Sequence, residues 1–142
     1  MNEIVITRAA PSDLSAIKRI ADRHKTELGF VLRPVLEAAI TRAELIVAKR
    51  EEAVIGFCHY HRCRDGWTTI YEIVSDRKRI GVGRALLDSI IKPFRLKATI
   101  DNPANAFYKH MGGIMTGTHP GRKRALALWC FFDDKDLLAD RS

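Results

Sequence analysis

At 142 residues, 46% of them hydrophobic and 29% charged, the chain is long enough to bury a core of its own without metal or disulfide staples. No apolar run approaches the ~20 residues of a membrane-spanning helix, and three cysteines, an odd count without CxxC spacing, argue against a disulfide framework or a zinc site. The formal net charge of +7 points to anionic partners such as nucleotides, RNA or acidic metabolites, and "MNEIVITRAAPSDL" has no basic-then-apolar leader, so one cytoplasmic domain spanning 1–142 is expected.

Residues 3–8, "EIVITR", alternate as a first strand. A helix is expected over "PSDLSAIKRIADRHKTEL", capped by Ser12, with Leu14, Ile17, Ile20 and Ala21 at helical spacing. A second, short helix follows in "PVLEAAITRA", opened by Pro34. Three strand-like runs come next, "ELIVAKR", "AVIGFCHYHRC" and "WTTIYEIVS", joined by a tight Glu51-Glu52 turn and by "RDG" as an antiparallel meander. "GRALLDSIIKPF" reads as a helix burying Ala85, Leu86, Ser89 and Ile90 and stopped by Pro93. "RLKATID" is a fifth strand, and Asn102-Pro103 starts the helix "PANAFYKHM", which Gly112-Gly113 ends. "GIMTGTH" and "ALALWCFF" are the last strands, with the basic loop "PGRKR" between them. The order β-α-α-β-β-β-α-β-α-β-β predicts an α/β fold, a mixed sheet with helices packed on it.

Arg77, Lys78 and Arg79 run into Gly81-Val82-Gly83 where a strand hands over to a helix. The first N–H groups of a helix have no partner within it, glycines let backbone approach a ligand, and flanking cations add charge-assisted bonds, so the stretch suits a phosphate. The lysine and hydroxyl of a P-loop are missing. A dinucleotide-binding reading, with NAD, would use Gly81, Gly83 and Asp101, but Leu86 stands where its third glycine belongs.

Both the loop and a later segment resemble hallmarks of the GCN5-related N-acetyltransferase (GNAT) family. Lys78-Arg79-Ile80-Gly81-Val82-Gly83 is similar to that family's Arg/Gln-x-x-Gly-x-Gly/Ala loop, and "NPANAFYKHMGG", with Ala104, Phe107, Tyr108 and Gly112, is similar to its second motif. The departures are Lys78 for the usual Arg or Gln, a shorter link before Gly81, Asp101 where the motif's asparagine falls, and Gly113 for the usual phenylalanine. The resemblance implies an acyl-CoA N-acyltransferase fold and acetyl-CoA as cofactor, with CoA as product. Its pyrophosphate would be held by Arg79, Ile80, Gly81, Val82, Gly83 and Arg84, its pantetheine arm by Ile73 and Val74 through strand-like pairing, with Asn102 and Asn105 as further contacts.

Acetyl transfer to a primary amine needs a base for the amine, a donor for the oxyanion and an acid for the leaving thiolate. The resemblance gives the acid role to Tyr108, whose phenol has a reference pKa above a thiol's. Glu72, an acid inside an apolar strand, is the candidate base, or else the partner of a basic neighbour; the Val74 amide is the simplest oxyanion donor. His59 and His61 share a strand face and either relay a proton or face solvent; an HxH metal pair lacks a third ligand.

In the family, the segment between the first helices and the loop between the last strands form the acceptor mouth. Here Phe30, Arg33 and Arg122 lie in those segments and suggest a small molecule or peptide carrying an anionic group. Direct transfer through a ternary complex is implied, and a homodimer is compatible. The alternatives are an aminoacyl-tRNA-acetylating toxin, an acyl-CoA sensor and a basic nucleic-acid-binding module, the last of which leaves the glycine loop unexplained.

Overall fold

The computed structural model describes residues 3–78 and 80–133. Among the described residues, seven strands form one mixed sheet in the order β1-β2-β3-β4-β5-β7-β6, accompanied by five α-helices. The described residues divide into two compact units, one of residues 3–61 with Tyr71–Ile90, the other of Arg62–Ile70 with residues 91–133.

In the first unit, β1 (Val5–Arg8) pairs antiparallel with β2 (Leu45–Arg50), and β2 with β3 (Ala53–Arg62), where a bulge falls at Ala48/Lys49. The hairpin turns on Glu51 and Glu52 at φ 51° and 67°, the two left-handed residues that a two-residue turn of primed type requires. The helix expected from Ser12 is in three pieces: a 3-10 turn at Pro11–Asp13, α1 (Leu14–Arg23) and α2 (Lys25–Leu28). Ser12 does not cap it. Asp13 is the buried polar residue of that turn instead, its Oδ2 accepting the Ala10 N–H at 2.8 Å and its Oδ1 lying 3.1 Å from Lys49 Nζ. The break comes at His24, whose φ of −108° and ψ of 21° leave the helical range.

Helix α3 (Arg33–Thr41) places Pro34 in its first turn, where a missing N–H breaks no intrahelical bond. The apolar faces of α1 and α3, Ile17, Ile20, Ala21, Leu36 and Ala39, close on Leu45, Val47, Phe57 and Val74 of the sheet. Side chains of this size contribute about 1.5–3 kcal/mol each when fully buried, which fixes the registers of β2 and β3. Helix α4 (Val82–Asp88) is shorter than expected and buries Val82, Leu86 and Leu87; Ser89 is exposed, its Oγ donating to the Ala85 carbonyl at 2.9 Å. Gly56 of β3 lets α4 approach, since a Cβ there would sit 2.7 Å from both Val82 Cγ1 and the Val74 carbonyl oxygen.

In the second unit, the start of β4 (Thr68–Ser75) pairs parallel with β5 (Phe94–Thr99) at Thr68 opposite Phe94 and Thr69 opposite Arg95. β5 pairs antiparallel with β7 (Leu126–Phe131), and β7 with β6 (Ile114–His119). Helix α5 (Ala104–His110) starts where the Asn102 side-chain oxygen accepts the Ala104 N–H at 2.8 Å, and its end is marked by Gly112 at φ 94°. Phe94 and Phe131 stack at 4.4 Å and 14° in this core. A Cβ on Gly113 would meet Phe131 Cζ and the Tyr108 carbonyl, each at 2.8 Å, so the backbone passes there without a side chain.

Candidate functional site

The C-terminal end of β4, the loop after it and the start of α4 carry the phosphate-suited geometry. The Asp76 amide donates to the Ile55 carbonyl at 2.8 Å, which extends the sheet one residue beyond β4. Gly81 then turns the chain at φ 89° and ψ 14°, a left-handed conformation that favours glycine, and among the described residues no atom beyond its two chain neighbours lies within 4 Å of the place a Cβ would occupy. The first bond inside α4 runs from the Ala85 amide to the Gly81 carbonyl, so the amides of Val82, Gly83 and Arg84 have no acceptor within the helix. Arg77, Lys78, Ile80 and Arg84 are exposed around this turn, with Val82 buried beneath it; Arg79 lies outside the described residues. Amides without an acceptor in the helix, together with exposed guanidinium groups, fit a pyrophosphate. Beside the loop, a cavity of about 260 Å³ is lined by Arg50, Glu51, Ala53, Ile55 and Arg77.

Asp76 ties this loop to the end of α1. Its carboxylate accepts from Arg23 Nη2 at 2.5 Å and Arg23 Nε at 3.2 Å, and His24 Nε2 is 3.1 Å away. The Arg23 guanidinium, with His24 beside it, holds the Asp76 carboxyl below the usual carboxylate range. His24 Nδ1 in turn lies 3.0 Å from Glu27 of α2.

On β4 itself, Ile73 is partly buried and Val74 is buried, both at the end away from the parallel pairs of Thr68 and Thr69. Glu72 is not a lone acid: its Oε2 lies 2.8 Å from Nδ1 of His59, which is buried. His61, on the same strand face, is half-exposed and turns instead to Glu44, whose buried carboxylate also accepts from Arg42 Nε at 2.9 Å. Tyr71 touches both imidazoles, tilted on His59 at 5.1 Å and stacked on His61 at 6.5 Å. Cys58 shares the surroundings of Glu72; burial, with that carboxylate adding to it, pushes its thiol far above the ordinary range.

In the second unit, Tyr108 is buried on α5, its ring 6.2 Å from Trp129 and 5.8 Å from Phe107. Asn105 knits α5 to the sheet. Its amide nitrogen donates to the carbonyls of Thr99 and Ile100 at 3.0 and 3.1 Å, and its oxygen accepts the Trp129 indole N–H at 2.8 Å. Asp101 is paired with Arg124. Phe30 is 87% exposed, and Arg33 and Arg122 are also at the surface, each in its own segment.

The family model of the acetyltransferase (GNAT) family matches residues 14–113, from the start of α1 through α5 to Gly113. The chain belongs to the GNAT family. Its fold is that of GNAT structures solved elsewhere. Ard1 from Thermoplasma volcanium superposes with a TM-score of 0.79 at 22% identity, over 92% of this chain and 99% of that one. The yncA protein of Salmonella typhimurium, solved with its cofactor acetyl-CoA, gives 0.76 at 16% identity, over 92% and 95%. Arabidopsis thaliana Naa50, in complex with the bisubstrate analogue CoA-Ac-MVNAL, gives 0.70 at 17% identity, over 92% and 99%. Among curated proteins none matches this chain.

The GNAT resemblance read from the glycine loop and the α5 motif therefore names the right family. Sequence reasoning passed over Glu44, Tyr71 and Asp76. Each carried a faint signal: an acid at a helix-to-strand junction, an aromatic beside the candidate base, and an acid at the head of a basic run.

Proposed function

We propose that this GNAT member is an N-acetyltransferase that moves the acetyl group of acetyl-CoA directly to a primary amine of a small molecule or peptide. The observation that carries this reading is the left-handed Gly81 turn, which opens α4 with amides 82–84 unbonded within the helix, in a chain matched by the family model across that loop. Ile80, Gly81, Val82, Gly83 and Arg84, with Arg79, would hold the pyrophosphate of acetyl-CoA; Ile73 and Val74 would pair with its pantetheine arm, and Asn102 lies at the start of α5 for a further contact. The bound thioester supplies an activated acetyl group.

The chain's own residues supply the rest. Glu72 takes a proton from the amine, leaving the electron pair on nitrogen for attack on the thioester carbonyl. The Val74 amide stabilises the oxyanion, and Tyr108 gives its proton to the departing sulfur. Phe30, Arg33 and Arg122 offer an apolar contact and cations to an acceptor with an anionic group, and the peptide part of the Naa50 complex supports a peptide as one such acceptor.

Thermal unfolding with acetyl-CoA tests the cofactor, with NAD and a short RNA at two salt concentrations as controls. A ligand at 100 times its Kd stabilises by about 2.7 kcal/mol, a rise of roughly 5–10 °C for a chain of this size. A rise with acetyl-CoA alone supports the reading. A rise only with RNA at low salt, or only with NAD, rejects it.

A further inference from the structure

His59 is buried in the first unit, its side chain 5% exposed, with Nδ1 2.8 Å from Glu72 Oε2. Its other nitrogen, Nε2, is buried and has no hydrogen-bond partner among the described residues. An ionised carboxylate only accepts, so the nitrogen facing Glu72 carries a proton. If Nε2 also carried one, the ring would bury a cationic N–H with no acceptor, at a high desolvation cost. If Nε2 carried the sole proton, the Nδ1 lone pair would face the carboxylate's lone pairs. Only the neutral Nδ1–H tautomer leaves no N–H stranded; its bare Nε2 is a less costly orphan, and the ring is flanked by Tyr71 at 5.1 Å.

The geometry points to His59 as a positioning residue, a fixed Nδ1–H donor that holds the Glu72 carboxylate aimed for removal of the acceptor's proton. This rests on the acetyltransferase reading above. It replaces the expectation that His59 relays a proton or lies on a solvated face: a buried Nε2 with nothing to bond is poorly placed to exchange one. The neighbouring titratable groups are Cys58 on β3, Tyr71 on β4, and His61 with Glu44, which form their own pair. Helices α1 and α3 bring apolar residues to the cluster around Phe57, two positions along β3.

Long-range proton–nitrogen NMR of the histidine-labelled protein tests the tautomer without any acceptor. Between pH 6 and pH 8 (a range of about two units around the ordinary histidine value), Nδ1 should carry the proton and Nε2 should be bare; a protonated Nε2 overturns the proposal. Turnover is then compared in His59→Leu and His59→Asn. Leucine removes the donor and should lower kcat roughly tenfold, with KM and the acetyl-CoA-induced thermal rise retained, because the carboxylate loses the hydrogen bond that aims it. Asparagine presents an N–H near the place of Nδ1 and should restore most of that kcat; equal loss in both, or none, sinks the positioning role alone. A wild-type protein with no response to acetyl-CoA sinks the acetyltransferase reading on which it rests.

Discussion

Asp76 grips Arg23 with both carboxylate oxygens, at 2.5 and 3.2 Å, and so fastens the head of the glycine loop to the last turn of α1, 53 residues earlier in the chain. The pair has a definite pH signature. Asp76 is held below its ordinary value in the folded state, chiefly by the hydrogen bond from Arg23, so its contribution is fully present above the unfolded carboxyl value of ~3.9 and is lost as pH falls through the lower folded value. Asp76→Asn should lower the unfolding midpoint by about 2–5 °C at pH 7, and the gap from wild type should close below pH ~4. Calorimetry across that range checks it; a gap that is constant with pH counts against the ion pair.

Gly56→Ala should be costly because its methyl would meet the Val74 carbonyl and Val82 Cγ1 at 2.7 Å, on the very elements proposed to hold acetyl-CoA. We expect a loss of about 1–3 kcal/mol and a smaller thermal response to acetyl-CoA. Gly117→Ala, with nothing within 4 Å of the added methyl, is the control and should leave both nearly unchanged.

Tyr108→Phe should keep the acetyl-CoA-induced thermal rise and lose turnover by roughly 100-fold or more, the usual scale for removing a general acid. Release of the CoA thiol, followed with any amine that supports turnover, reports it. Undiminished turnover would leave Tyr108 as a core residue beside Trp129.

Cys58 should resist thiol reagents in the folded protein, because burial and the Glu72 charge keep its thiol protonated far into alkaline pH. Cys63 and Cys130, which are only partly buried, should label first. Mass spectrometry of a timed labelling reaction distinguishes the three, and rapid native labelling of Cys58 would show that the Glu72 surroundings open readily.

Much of the fold was legible because its strands alternate and its turns carry glycine, as at Gly66 and Gly112, both left-handed. The glycine loop was legible for the same reason: Gly81 marks a backbone conformation, and backbone conformation is local. What escaped was set by partners distant in sequence. One helix was expected from Ser12 to Leu28, yet it breaks at His24, whose ring bonds Asp76. His59 and His61 alternate alike and flank the same Tyr60, but one is buried against Glu72 and the other half-exposed against Glu44. Their difference lies in which acid each strand brings opposite, and periodicity carries no such information. Asn105 falls in a cofactor motif by resemblance, and its three bonds, to Thr99, Ile100 and Trp129, were not legible there because they follow from packing.

The contact of Gly113 with Phe131 also bears on how this chain can vary by descent. Phe131 fills the space beside the bare backbone at 113 and stacks on Phe94, and a methyl at 113 would already stand 2.8 Å from its ring. A variant with a bulky residue at 113 would need a smaller one at 131, and trimming 131 alone would open a void next to Phe94. The two positions are therefore coupled by volume, one ring's worth of space that either strand β7 or the turn after α5 can fill, but not both.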